Sequence, residues 1–221
     1  MSLLDQFIGV WAPHTCVQCG AEAQLLCPVC IRNLPVIASR CYHCRKITGD
    51  WRMCSACSKT SKLWRVRVGT IYEAAAKELV WRLKFSGAQL AAQTMATRLI
   101  SLYEFAQSAI IVPVPTATSR VRRRGYDQAR LLARQLSRQT GLPMVDCLAR
   151  SGQAHQVGAS RQQRLHQLEG AFRVTKRSMV RDAHLILVDD VITTGATLEA
   201  AAKILRQAGV GRVEALVFAQ P

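Results

Sequence analysis

Residues 185–198 contain the densest set of groups suited to phosphate chemistry: Leu-Val-Asp-Asp-Val-Ile-Thr-Thr-Gly-Ala-Thr-Leu from position 187. Two adjacent carboxylates, Asp189 and Asp190, follow an apolar run and can accept hydrogen bonds from the two ribose hydroxyls, directly or through Mg²⁺. Thr193, Thr194 and Thr197 offer hydroxyl donors. Gly195 lets the backbone wrap closely, and Ala196 leads into a helix whose first amides and dipole favour a phosphate dianion. An ordinary strand–turn–helix junction with capping threonines accounts for one threonine, but not for the acid pair beside it. Other phosphate loops fit less well. No GxxxxGK[ST] is present, and no GxGxxG follows a strand. The segment therefore reads as a ribose-phosphate cradle.

Eight of the nine cysteines fall into four CxxC pairs: Cys16/Cys19, Cys27/Cys30, Cys41/Cys44 and Cys54/Cys57. A CxxC knuckle converges two thiolates on one metal, and Zn²⁺ takes four ligands tetrahedrally. Seven residues separate the first two pairs and nine the last two, which suits two consecutive zinc ribbons. The expected sets are Cys16, Cys19, Cys27, Cys30 and Cys41, Cys44, Cys54, Cys57, with a crossed pairing left open by spacing alone. Redox chemistry fits poorly, because no CxxC sits between a hydrophobic strand and a helix. Closed four-cysteine shells leave no open coordination position, so the zinc is expected to be structural and to supply folding energy. His14 and His43 are surplus to the ligand count. Cys147 stands alone in an apolar stretch and reads as a core thiol.

The elements that position these groups show in the periodicity from Trp64 onward. Val66, Val68 and Thr70 alternate with Arg65, Arg67 and Gly69 as in a strand. Stretches 74–85 and 88–106 have helical spacing, 109–115 is a short β-branched run ended by prolines, and 127–141 reads as a helix with a glycine stop. A fully apolar strand over 185–188, a helix over 197–208 and a strand over 213–219 complete the pattern. Alternating strands and helices imply an α/β fold, a parallel sheet with helices on both faces. Ligands then bind at the carboxyl ends of strands, beyond Val114 and Val188. The expected organisation is a small zinc-ribbon domain over 1–63 and the α/β domain over 64–221.

Composition narrows the class. The 221 residues are 49% hydrophobic, and 30 basic against 14 acidic side chains give a formal charge of +16. Eight thiolates with two Zn²⁺ would lower that to about +12. Fourteen basic residues and three acids lie between Arg120 and Arg181, a concentration that favours polyanions, with a solvated basic face as the plainer alternative. No apolar run reaches 18 residues, and the first dozen residues have no basic stretch and an acid at Asp5. No membrane insertion and a cytoplasmic location are expected.

With these motifs together the chain resembles a known family. The acid pair followed by Thr-Thr-Gly-Ala-Thr is similar to the phosphoribosyl-pyrophosphate (PRPP) motif of type I phosphoribosyltransferases. Val112-Pro113-Val114-Pro115, followed by Arg124-Gly125-Tyr126-Asp127-Gln128, resembles the VPVP…RGxNQ stretch of the ComF/GntX group within them. His155-Gln156-Val157-Gly158 through Arg164, with Ala171-Phe172, resembles that group's mobile loop. The cysteine-rich start and Leu83-Lys84-Phe85-Ser86-Gly87 complete an order that covers essentially the whole chain. Asp127 stands where the group usually has Asn, and Gln167 where another Asn is usual. Asp127 is acceptor-only, so no ligand contact is carried over to it.

The resemblance implies that residues 193–197 hold the 5′-phosphate of PRPP and that Asp189 and Asp190 hold its ribose with Mg²⁺. It implies a pyrophosphate loop at Val114, Pro115 and Thr116. Arg120, Arg124 and, from the mobile loop, Arg164 are implied to counter pyrophosphate charge, with Lys84 a family-pattern lysine. Such a transfer needs positioning and charge neutralisation rather than a protein nucleophile. No base-reading constellation identifies an acceptor. Two classes of function remain: a PRPP-dependent transferase linked to competence and the processing of incoming single-stranded DNA, or a non-catalytic DNA-binding or protein-docking factor with PRPP as a regulatory ligand. A DNA-uptake protein partner is plausible for zinc ribbons. Trp64, Trp81 and Tyr126 suit single strands but are expected to belong to the core.

Overall fold

The computed structural model describes residues 15–22, 24–86, 88–150 and 170–221. His14, Gly87, the stretch from His155 through Arg164, and Gln167 lie outside them.

Four parallel strands form the central sheet: β1 (Val66–Ile71), β2 (Ala109–Pro113), β5 (His184–Val191) and β6 (Arg212–Gln220), in the order β1-β6-β5-β2. Strand alternation divides the core in two. Leu185, Leu187, Val213, Ala215 and Val217 face one side. Ile186, Val188, Leu216 and Phe218 face the other, as period-two side chains buried on both faces must.

Helices α2 (Ala74–Phe85) and α3 (Ala88–Leu102), after a short α1 (Pro28–Arg32), cover the second side with α5 (Gln128–Thr140). Helix α6 (Ala196–Gln207) covers the first. The helix expected over 88–106 stops at Leu102, where the chain turns and the half-buried Tyr103 donates its hydroxyl to the Val68 carbonyl. Helix α5 matches its caps: Asp127 accepts from the Arg130 amide, and Gly141 closes it at φ +76°. A short helix α4 (Thr118–Arg124), not expected from periodicity, carries four arginines in seven residues. A two-stranded antiparallel sheet pairs β3 (Leu148–Arg150) with β4 (Phe172–Val174).

The cysteine modules dock on opposite faces. Leu25, Leu26, Ile31 and Leu34 of the first join α2 and α3. The buried Arg98 of α3 ties them down by donating to the carbonyls of Leu34 (2.7 Å) and Gly69 (3.3 Å). Ile37, Tyr42, Trp51, Met53 and Leu63 of the second join the α6 side. Each module thus borrows its core from the sheet's covering layer, since so short a segment cannot bury enough apolar surface alone.

The aromatic expectation needs correction. Trp64 is half-buried with the guanidiniums of Arg52, Arg65 and Arg212 centred 4.8, 4.6 and 4.3 Å from its ring. Trp81 is not core at all: half of its surface is exposed, because it sits on the outward stripe of α2. Tyr126 is half-buried and donates to the Leu83 carbonyl at 2.9 Å. Cys147 is buried as expected, and burial pushes its thiol up to about 11.

Candidate functional site

The parallel sheet sends β2 and β5 to the same edge, so the loops after Pro113 and Val191 meet there. Between them lies a cleft of about 380 Å³. Val114, Pro115, Thr116, Arg120, Asp189, Asp190, Thr193, Thr194, Ala196 and Thr197 all line it. The structure thus brings together residues 75 positions apart that sequence reasoning had grouped by motif alone. Gly195 and Arg124 are not on the cleft wall. Arg124 donates to Gln128 Oε1 at 2.9 Å and lies over the Phe85 ring at 5.2 Å, beside the cleft.

Lys84 and Arg150 also line the cleft, placing three cations with Arg120 around the acid pair. Nothing in the sequence pattern singled out Arg150. It arrives because β3 pairs with β4, and its guanidinium stacks 5.4 Å from Phe172. Burial lowers its proton affinity, and Arg120 lowers it further.

The acids are electrostatically loaded. Asp190 is buried, and its Oδ2 pairs with the Lys84 ammonium at 2.5 Å. Burial raises the Asp189 carboxyl well above the ordinary range. The Asp190 charge adds to that rise, against a smaller opposing effect of Lys84. A buried carboxylate held by one lysine, beside a second, reluctant carboxylate, suits a ligand that brings hydroxyl donors or a divalent cation.

Gly195 caps α6 at φ +76°, and the Thr194 hydroxyl accepts from the Ala196 amide at 3.4 Å. The first-turn amides of such a helix lack helical partners and form a natural anion seat. Asp127 fits its place because all its partners are donors: the Thr116 amide at 2.8 Å, the Thr116 hydroxyl at 3.1 Å and the Arg130 amide at 3.2 Å. An acceptor-only side chain therefore fixes the 114–116 turn from the start of α5.

Sequence reasoning missed Tyr42. Its ring packs on the loop before α6 so closely that a Cβ on Gly195 would lie 2.3 Å from Tyr42 Cε2. Its hydroxyl donates to Glu199 Oε1 of α6 at 2.5 Å, Ser61 donates to the same oxygen, and the Lys62 amide reaches Oε2 at 3.0 Å. The second cysteine module thus holds the first turn of α6. Only the position of Tyr42 beside the ligand Cys41 hinted at this.

The cysteines group as expected, Cys16, Cys19, Cys27, Cys30 and Cys41, Cys44, Cys54, Cys57, with all sulfurs of each group within 4.8 Å of one another. Cys19 and Cys27 are 3.8 Å apart and Cys44 and Cys54 3.5 Å, near the roughly 3.8 Å edge of a tetrahedron with 2.3 Å metal–sulfur bonds. The Cys57 amide pulls the Cys54 thiol down to about 6, whereas its sulfur contact with Cys54 pushes Cys57 up to about 12. Four sulfurs this close cannot all ionise without a cation, so each group can hold a metal ion. The His43 Nδ1 lies 3.6 Å from the Cys57 sulfur, outside the set of four.

Comparison with known proteins agrees with this geometry. The model of the phosphoribosyl transferase domain matches residues 121–221. Competence protein F of Haemophilus influenzae is 30% identical, over 90% of this chain and 93% of that protein. Competence protein ComFC of Bacillus subtilis is 29% identical over 76% and 78%. The DNA utilization protein YhgH of Salmonella typhi is 28% identical over 91% and 95%. A solved glutamine PRPP amidotransferase from B. subtilis has 19% identity and a TM-score of 0.41 over 57% of this chain, and the match spans only 26% of that larger protein. No helix among the described residues is long and apolar enough to cross a membrane. The chain belongs to the ComF/GntX family, with a type I phosphoribosyltransferase domain preceded by two four-cysteine groups that can hold metal ions.

Proposed function

We propose that the cleft binds PRPP and that the protein serves the uptake and processing of incoming single-stranded DNA in the cytoplasm. The observation that carries this is the convergence of ten motif residues on one cleft at the carboxyl edge of the sheet. Residues Thr193, Thr194, Gly195, Ala196 and Thr197 seat the 5′-phosphate at the start of α6. Asp189 and Asp190 accept the ribose hydroxyls, for which Lys84 must yield part of its hold on Asp190. The turn at Val114, Pro115 and Thr116 takes the pyrophosphate, with charge countered by Arg120 and Arg150 from the wall, and by Arg124 and Arg164 as they approach. Mg²⁺ bound with the pyrophosphate would neutralise the leaving group's charge. Residues 1–63 act as a double zinc ribbon with two structural Zn²⁺, and 64–221 as the phosphoribosyltransferase domain. The basic excess and the names of the relatives support a DNA partner, and the exposed ribbons are suited to a partner protein of DNA uptake.

One observation favours the regulatory alternative. Because Tyr42 and Glu199 join the phosphate loop to the second ribbon, occupancy of the cleft would be felt at that module. Calorimetry with PRPP and Mg²⁺ tests binding. The protein should bind at micromolar to millimolar PRPP, and Asp190→Asn should weaken binding at least tenfold. No binding at millimolar PRPP would refute the reading. Pyrophosphate release on adding an oligonucleotide marks a transferase, whereas binding without release at any acceptor marks the regulatory role.

A further inference from the structure

Two aromatic rings stand in solvent beside the cleft. Trp81 and Phe85, one turn apart on α2, are 50% and 54% exposed, with ring centroids 5.7 Å apart. Exposed aromatic pairs are uncommon on surfaces without a partner. Lys84, next to Phe85 in the chain, reaches into the cleft and pairs with Asp190. Against this end of α2 lies α4, whose four arginines have no acid among its seven residues. Its Arg124 rests over Phe85. Tyr126, just beyond α4, locks the arrangement by donating to the Leu83 carbonyl at 2.9 Å. Arg122 and Arg123 are exposed and make no ion pair with a carboxylate among the described residues.

This combination has a specific chemical meaning. Solvent-exposed aromatic surface attracts bases, and a run of guanidiniums beside it tracks phosphates. An acidic protein surface would match the arginines but would leave two apolar rings in contact with charge. A duplex would match the arginines too, but its bases are stacked internally and cannot cover the rings.

We propose that Trp81 and Phe85 form a stacking platform for bases of single-stranded nucleic acid, with Arg122 and Arg123 of α4 holding its phosphates, so that the strand runs along the mouth of the cleft. The proposal rests on the DNA-linked reading above and gives it a surface. It makes the strand's own bases the groups nearest the cleft.

Stacking and charge leave different signatures, so the test separates them. The metal-loaded full chain is titrated into a labelled single-stranded 12-mer of thymidylate, followed by fluorescence anisotropy at several salt concentrations. Arg122→Gln with Arg123→Gln should lower the slope of log K against log salt by about 1.5, since two phosphate contacts are lost. Trp81→Ala with Phe85→Ala should weaken binding about tenfold or more at every salt concentration with the slope unchanged, as loss of stacking requires. Trp81→Phe should recover most of the affinity. The exposure of all four residues protects the fold, and an unchanged thermal midpoint checks it.

Arg52→Gln with Arg212→Gln removes the same charge on a distant surface. An equal effect from that pair would reduce the binding to net charge and overturn the proposal. So would an aromatic variant that binds like the parent, a duplex of equal length that binds as tightly, or a polyglutamate peptide that competes as well as the strand. Failure of the parent to bind single strands at all would instead overturn the DNA-linked reading itself, leaving PRPP binding intact.

Discussion

Replacing Gly195 by alanine puts two costs on one atom. The residue sits at φ +76°, where an L side chain carries about 1 kcal/mol of strain. The new Cβ would lie 2.3 Å from Tyr42 Cε2 and 3.1 Å from its Cδ2 and Cζ, whereas carbon contacts settle near 3.5 Å. The ring must retreat by about 1 Å, but Tyr42 is buried and its hydroxyl is held by Glu199. Overpacking of this kind costs roughly 1–3 kcal/mol. The sum is about 2–4 kcal/mol, which for a chain of this size lowers the melting midpoint by roughly 5–15 °C. Calorimetric melting of the metal-loaded protein reads this directly. A double-mutant cycle identifies its source: in a Tyr42→Ala background the clash disappears, so Gly195→Ala should cost only about 1 kcal/mol. A midpoint within 1 °C of the parent, or the same cost in both backgrounds, would refute the contact between the second ribbon and the phosphate loop.

Other consequences follow from the same groups. Glu214 is buried and pairs with Arg65 (2.5 Å) and His184 (2.6 Å); Glu214→Gln strands those partners and should cost about 3–5 kcal/mol, read from urea midpoints. Burial alone would raise the Glu214 carboxyl, but His184 and Arg65 bring it below its usual value. Its contribution is therefore present above the unfolded carboxylate range and fades as pH falls through the folded value, a fading that Glu214→Gln should abolish. Asp189 has the opposite sign. Its folded carboxyl holds its proton more tightly than the unfolded one, so stability should fall as pH rises above about 4 through the elevated value. Asp189→Asn should flatten that decline in melts between pH 4 and 8, and Mg²⁺–PRPP binding to the parent should release a proton. Asp127→Asn keeps one acceptor oxygen but sets an amide donor against a Thr116 donor. It should cost about 1–2 kcal/mol and loosen the 114–116 turn, seen as faster exchange of the Thr116 amide.

The helix from Gln128 was readable because both its ends are chemical: a capping carboxylate at Asp127 and a left-handed glycine at Gly141. Helix α4 was not, since seven residues with four arginines show no apolar face to detect. Trp81 was misassigned for a related reason. Composition favours burial of an indole, yet position on the helix decided it, and the outward stripe of α2 leaves half of Trp81 in solvent.

By itself the sequence marked the groups suited to hold ligands: the acid pair and threonine loop, the 114–116 turn, and eight cysteines in four CxxC pairs. Each of these depends on chemistry within a few residues of the chain. The tertiary structure alone decided what faces what. It brought Arg150 into the cleft through a pairing of β3 with β4, laid Tyr42 on Gly195, joined Lys84 to Asp190, and left Trp81 and Phe85 half exposed beside α4. These contacts span 22 to 157 positions of the chain. No local periodicity records them, because they exist only once the sheet has folded and its two faces have been covered.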